Sequence, residues 1–279
     1  MSGTRRYFDN FAVIDSFLPE EAFRSVSGFV AAAAYRQTPS GRSIWHSADQ
    51  ENPSQSLDTF VWPCATIAPM LSGPVRTALR DSANIIVHPS GTPVDALLEA
   101  IGNESGQAMP LLGREGSDWV GILASAFVYN PGARAAWHRD DNEYRGAFIY
   151  YVHEKWEPSW GGELLISHDR PGTGDGVFVA PLPNRLVILQ GGALHSVASV
   201  SARTGGLART SVAGFFATQQ FANKLMSGLP ATAIENGQTI TENAPRGSSA
   251  SGSSCSNSAS GSTAAGNEAV NNKPRGITA

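Results

Sequence analysis

From Trp119 onward the chain breaks into short apolar, β-prone runs at 120–129, 146–152, 163–167, 176–180, 185–190 and 211–217. Glycine- or proline-bearing turns separate them: Pro131-Gly132, Trp160-Gly161-Gly162, Pro171-Gly172, Pro181 to Pro183, Gly191-Gly192 and Gly205-Gly206. Runs this short, punctuated this regularly, cannot form long helices and suit antiparallel strands that bury one or both faces. The expectation is a β-sandwich or jelly roll, with helices from the N-terminal part supporting one sheet. No internal repeat interrupts the pattern.

The N-terminal part reads differently. Phe11 to Leu18 looks like an opening strand and turn. Pro19 then stands near a first helical position, and Glu20 and Glu21 favour the positive end of the helix dipole. Phe23, Val26, Phe29 or Val30, and Ala33 recur at helical spacing, which predicts one face packed on the core. Residues 36–60 are polar, with Trp45 and His46 in the middle, and read as a loop or lid over a substrate site. Residues 66–102 carry helical patterns interrupted around Pro89 to Pro93.

From about Gly228 the composition shifts to Ser, Gly, Ala, Asn and Thr. Such a stretch buries too little apolar surface to offset its ordering entropy, so 228–279 is expected to be a flexible low-complexity tail. The remaining 1–227 are enough for one domain with a sizeable core, its catalytic part about 120–217. A net charge of −4 with no basic cluster argues against nucleic acid or an anionic membrane as the main partner. No apolar run approaches a membrane span, and Arg5-Arg6 precede no apolar segment of the secretory kind. Of the two cysteines, Cys64 belongs to the folded part and Cys255 to the tail, so the expected setting is a reducing cytoplasm. A monomer or homodimer is expected.

The residues that carry chemistry lie among the strands. His138 and Asp140 stand two apart, on one face if the stretch is a strand, and His195 follows the apolar run Leu186 to Leu189. Two imidazoles and one carboxylate form the set that suits Fe(II), occupying one face of an octahedron and leaving three positions open. Any one of these residues alone is as readily a packed or solvated side chain; His138 and Asp140 could simply pair with each other.

The surrounding motifs decide. Tyr129-Asn130-Pro131-Gly132 followed by His138-Arg139-Asp140, then Phe148 to Tyr151 and Trp160-Gly161-Gly162-Glu163-Leu164, resembles the prolyl-4-hydroxylase-like branch of the Fe(II)- and 2-oxoglutarate-dependent dioxygenases. Val179 to Pro181, Asn184 to Leu189, His195 to Val197, Arg209 to Ser211 and Val212 to Phe216 continue the likeness over roughly 120–217, with a weaker echo in Asn10 to Glu21. The resemblance implies a mainly β (α+β) double-stranded β-helix, the jelly-roll or cupin-like barrel, with Fe(II), 2-oxoglutarate as co-substrate, and O2. It implies His138, Asp140 and His195 as both metal ligands and catalytic residues. It implies Arg209 for the far carboxylate of 2-oxoglutarate, with Ser211 and Tyr129 adding hydroxyl bonds. Arg209 lies fourteen residues past His195, further than the family's usual spacing, and Arg203 on the intervening turn is the competing cation. Because Asp140 retains a carboxylate, the resemblance favours hydroxylation, desaturation or another oxidative step over the halogenation of relatives that lack it.

His46, His88, His153 and His168 show no ligand spacing to one another and read as loop or surface residues, although His153 and Trp156 follow a core-type strand closely. Trp137, next to a ligand, should point away from the metal. The functional expectation is an enzyme that hydroxylates an unactivated C–H bond of a small molecule (an amino acid, its derivative or a biosynthetic intermediate) while 2-oxoglutarate becomes succinate and CO2. The alternatives are a prolyl hydroxylase acting on a peptide or protein, and a non-catalytic or 2-oxoglutarate-independent cupin-like metal protein.

Overall fold

The structure, a computed structural model, describes residues 3–37, 53–140, 142–168 and 174–229, all within the unit Met1–Ile240. Trp45, His46, Asp141, the Pro171-Gly172 turn, Cys255 and the tail beyond Leu229 lie outside the described residues. In chain order the elements are β1 (Arg5–Tyr7), β2 (Phe11–Ile14), α1 (Glu20–Ala31), β3 (Tyr35–Gln37), β4 (Ser54–Pro63), α2 (Gly73–Ala83), β5 (Ile85–Val87), α3 (Val94–Ser105) and α4 (Met109–Leu112). They continue with β6 (Gly121–Tyr129), β7 (Ala135–His138), β8 (Tyr144–Tyr151), β9 (Leu164–Ser167), β10 (Gly176–Val179), β11 (Leu186–Gln190), β12 (His195–Val197), β13 (Arg209–Ala217) and α5 (Gln219–Ser227).

Two sheets make the barrel. The larger runs β1-β2-β11-β8-β13-β6-β4-β3, with β5 added parallel to β4; the smaller runs β10-β9-β12-β7. The reason lies in side-chain alternation, since successive residues of a strand face opposite sides. Phe11, Val13, Phe127, Tyr129, Ile149, Tyr151, Val187 and Leu189 turn one way and pack on Ala135, Leu164, Ile166, Val179 and Val197 of the smaller sheet. Ala12, Ile14, Phe148, Tyr150, Leu186, Ile188, Val212 and Phe216 turn the other way, in one cluster with Phe23, Val26 and Val30 of α1 and Leu97, Leu98 and Ile101 of α3. Both faces of β8 and β11 are therefore covered, which explains why these strands read as unbroken apolar runs. Each fully buried Leu or Ile in these layers contributes about 1.5–3 kcal/mol. This is the double-stranded β-helix, with N-terminal helices backing the larger sheet.

Two expectations need revision. Residues 54–60 of the polar 36–60 segment belong to the strand β4, paired along β6, while 38–52 lie outside the described residues. Its polar side chains are tolerated there because they find partners, as in the 3.0 Å contact between Thr59 Oγ1 and Ser125 Oγ. The helical stretch 66–102 is broken earlier than Pro89, by β5, which begins after Asn84 ends α2 in a left-handed conformation at φ 52°. No helix among the described residues is long and apolar enough to cross a membrane.

Candidate active site

β7 and β12 are hydrogen-bonded neighbours, and their register places His195 directly opposite His138. The two rings lie 4.2 Å apart between centroids. His195 therefore comes from the adjacent strand rather than from a facing one. β7 also ends at His138, so Asp140 is not carried on the strand face that the i, i+2 spacing implied. The chain leaves the strand there, and the carboxylate still turns back to lie 3.8 Å from His138 Nε2 and 3.9 Å from His195 Nε2. The ligand atoms of the three all lie within 4.8 Å of one another, and each side chain is at most 7% exposed.

The orientation of both rings is set from behind. His138 Nδ1 lies 2.7 Å from the Ala136 carbonyl and His195 Nδ1 lies 2.9 Å from that of Ala193. A carbonyl only accepts, so each Nδ1 carries the proton and each Nε2 presents a lone pair to the other two residues. Burial lowers the basicity of both imidazoles, His195 adding to the effect on His138, so both lone pairs stay available. Burial also pushes the Asp140 carboxyl up to about 6, and its Oδ1 is buried with no hydrogen-bond partner among the described residues. Two inward lone pairs and an uncompensated carboxylate are a donor set that fits a divalent cation.

A second polar constellation sits at the start of β13. Arg209 is 1% exposed, yet its Nε and Nη2 have no hydrogen-bond partner and no ion pair involves it among the described residues. Its guanidinium carbon lies 4.7 Å from the centre of the Tyr129 ring and 4.8 Å from that of Tyr151. The aromatic faces shield the cation without neutralising it. Gly162 makes room: with φ at 73°, a Cβ there would stand 2.9 Å from Arg209 Cδ. Ser211 is buried two residues on, in register with Tyr151 of β8, whose hydroxyl is also buried without a partner. A buried guanidinium with free N–H groups calls for a carboxylate, because an unpaired buried charge is costly.

Of the residues singled out from sequence, His138, Asp140 and His195 come together, and Tyr129, Arg209 and Ser211 form the second group. Arg203 is exposed on a turn. Trp137 is 53% exposed, pointing away from the cluster as expected. In the sequence Tyr151 stands only as part of a motif; its alternation with Ile149 and Ala147 on one face of β8 is the signal that places it inside. His153, read as a loop or surface residue, is buried, because the chain leaving β8 is covered by Trp156 and the β10–β11 connection.

Comparison with known proteins found likenesses in sequence and in fold. Residues 124–217 match the family described as the 2OG-Fe(II) oxygenase superfamily. Among solved structures, a Pseudomonas putida prolyl-4-hydroxylase aligns at 18% identity over 76% of this chain and 94% of its own, with a TM-score of 0.50. A Trichoplax adhaerens prolyl hydroxylase, solved with a hypoxia inducible factor peptide fragment, aligns at 13% identity over 76% and 85% of the two chains, with a TM-score of 0.47. No curated protein sequence matches. Residues 124–217 are thus similar to the 2OG-Fe(II) oxygenase superfamily, on a fold that the chain shares with a prolyl-4-hydroxylase.

Proposed function

We propose that this protein hydroxylates an unactivated C–H bond of a small molecule, holding Fe(II) on His138, Asp140 and His195 and the far carboxylate of 2-oxoglutarate on Arg209. The observation that carries the reading is the buried Arg209 guanidinium with unpartnered N–H groups on the same barrel interior as the three ligand side chains. Fe(II) held there would let O2 serve as the oxidant, one oxygen atom going to succinate as 2-oxoglutarate loses CO2 and the other to the substrate C–H bond. The chain's own residues do the rest. Arg209 holds the co-substrate by paired charge-assisted bonds, and the Tyr129 and Tyr151 faces keep water from the guanidinium. Ser211 and the Tyr151 hydroxyl offer further bonds to the same carboxylate. The Ala136 and Ala193 carbonyls keep both imidazoles turned inward.

The substrate side of the site supports a small, largely apolar reacting group. A small cavity of about 30 Å³ beside Asp140 and His195 is lined by Phe127, Ala147, Ile149, Ala213 and Phe215. These walls exclude water from the reacting position and orient by shape rather than by charge. An aliphatic part of an amino-acid derivative or biosynthetic intermediate suits them.

The test begins without oxygen. Fe(II) and then 2-oxoglutarate are added to the full chain, and the weak visible charge-transfer band of the chelate is sought. The expected result is a band in the native protein that is absent in His138→Ala and lost or strongly weakened in Arg209→Ala. Bound iron with no band on adding 2-oxoglutarate would reject the dioxygenase reading. Given a band, succinate release is screened against small aliphatic compounds and prolyl peptides. Turnover with the peptides alone would transfer the assignment to a protein hydroxylase.

A further inference from the structure

His153 lies just past β8, 8% exposed, and its ring nitrogens face two carbonyl oxygens. Nδ1 is 3.1 Å from the Thr210 carbonyl and Nε2 is 2.5 Å from the Pro181 carbonyl. A carbonyl oxygen can only accept, and a neutral imidazole has only one N–H. In the neutral ring one nitrogen lone pair is therefore aimed at an oxygen lone pair. Only the imidazolium satisfies both contacts.

The surroundings oppose that cation. Burial pushes His153 down to about 4, and the positive Arg209 beside it acts in the same direction. Among the described residues, the elements packed around the ring present little else that is charged. β13 brings Arg209 and the Thr210 carbonyl, and β8 brings Tyr151, its ring 5.9 Å away. The following loop brings the Trp156 ring at 4.8 Å, and the β10–β11 connection brings the Pro181 carbonyl. The hydrogen-bonding geometry asks for a proton and the charge balance withholds it. A carboxylate on Arg209 eases the conflict, because its one negative charge cancels the neighbouring positive charge that opposes protonation of the ring.

We propose that His153 is a positioning residue for the co-substrate: binding of the 2-oxoglutarate far carboxylate at Arg209 draws one proton from solvent onto the His153 ring, which then donates to both carbonyls. This rests on the assignment of Arg209 above. The N–H bond formed is the only covalent change, and the proton comes from buffer. Its structural effect falls on Thr210, the residue between Arg209 and Ser211. Holding that carbonyl holds the backbone from which both side chains project, while the bond to Pro181 ties the β10–β11 connection to the same point.

The test uses the full chain loaded with Zn(II), which is diamagnetic and does not turn over, and 2-oxoglutarate as the probe. Calorimetric titrations in buffers of different ionisation enthalpy give the number of protons taken up. Nitrogen chemical shifts of histidine-labelled protein, assigned by difference from His153→Gln, give the state of the ring without altering it. The expected result is uptake approaching about one proton per 2-oxoglutarate, and affinity that tightens by up to about tenfold per unit fall in pH between the His153 values of the free and bound forms. The complex should show two protonated nitrogens on His153. His153→Gln, which can donate but not titrate, should flatten the pH dependence and abolish the uptake while binding persists more weakly. Binding without proton uptake, with His153 a neutral single tautomer in the complex, overturns the inference and leaves the dioxygenase reading standing. No binding of 2-oxoglutarate by the native protein overturns both.

Discussion

At the scale of single residues, the site is a set of polar groups left incomplete by the protein itself. Asp140 is the clearest case. Burial raises its carboxyl to about 6, above the ordinary value of about 4. Between those two values the native metal-free protein keeps a proton that the unfolded chain has lost, so this group's contribution to stability declines as pH rises through the window. On the proposed assignment, a divalent cation takes the place of that proton. Above about pH 6 metal and carboxylate combine freely, and below it the proton competes. The rise in melting temperature caused by Zn(II) or anaerobic Fe(II) should thus be full near about pH 8 and shrink as pH falls through about 6. Thermal unfolding across that range, with and without metal, measures it. An unchanged rise at about pH 5 would remove Asp140 from the ligand set.

At the scale of elements, the barrel depends on a few side chains that tie strands to what lies behind them. Asn184, in the connection between β10 and β11, takes a left-handed conformation at φ 55°. Its Oδ1 accepts from the Leu18 amide at 2.9 Å and the Tyr150 hydroxyl at 2.8 Å, and its Nδ2 donates to the Leu18 carbonyl at 2.8 Å. One buried amide thereby joins the start of α1, β8 and the β11 connection. Asn184→Ala leaves three buried polar groups without partners and retains an unfavourable φ. It should cost about 2–4 kcal/mol, a fall of roughly 5–15 °C in melting temperature. The affinity for metal should change little, since neither histidine nor Asp140 touches this joint. Denaturant unfolding alongside metal titration checks both halves of the statement.

At the scale of the whole molecule, one barrel carries two polar centres along its interior, and helices close the far side of the larger sheet. The chain packs on this framework up to Leu229, which is buried with Val61, Leu71 and Val120 in a third apolar cluster beside α5. A chain ended after Leu229 should therefore keep the melting temperature and the 2-oxoglutarate affinity of the full protein, each within experimental error. Thermal unfolding and titration of the two forms side by side measure this. A loss of co-substrate affinity in the shortened form would give residues 230–279 a direct part in the site.

Much of this was legible in the sequence because it depends on local pattern. The strand rhythm announced the barrel, since alternation and turn residues act over a few positions. The donor types of His138, Asp140 and His195 suit Fe(II), which selects particular donors, and the Trp160 to Leu164 segment contributed through a resemblance to a known family. Tertiary structure decided what depends on approach between distant segments. It paired His195 with His138 as neighbours rather than across the barrel, and it bent Asp140 off the strand end. It drew residues 54–60 of the polar segment into the larger sheet. It set Tyr151 on Arg209 and enclosed His153 between two carbonyls. No local pattern carries those facts, because burial and charge balance are properties of surroundings that the chain assembles only on folding.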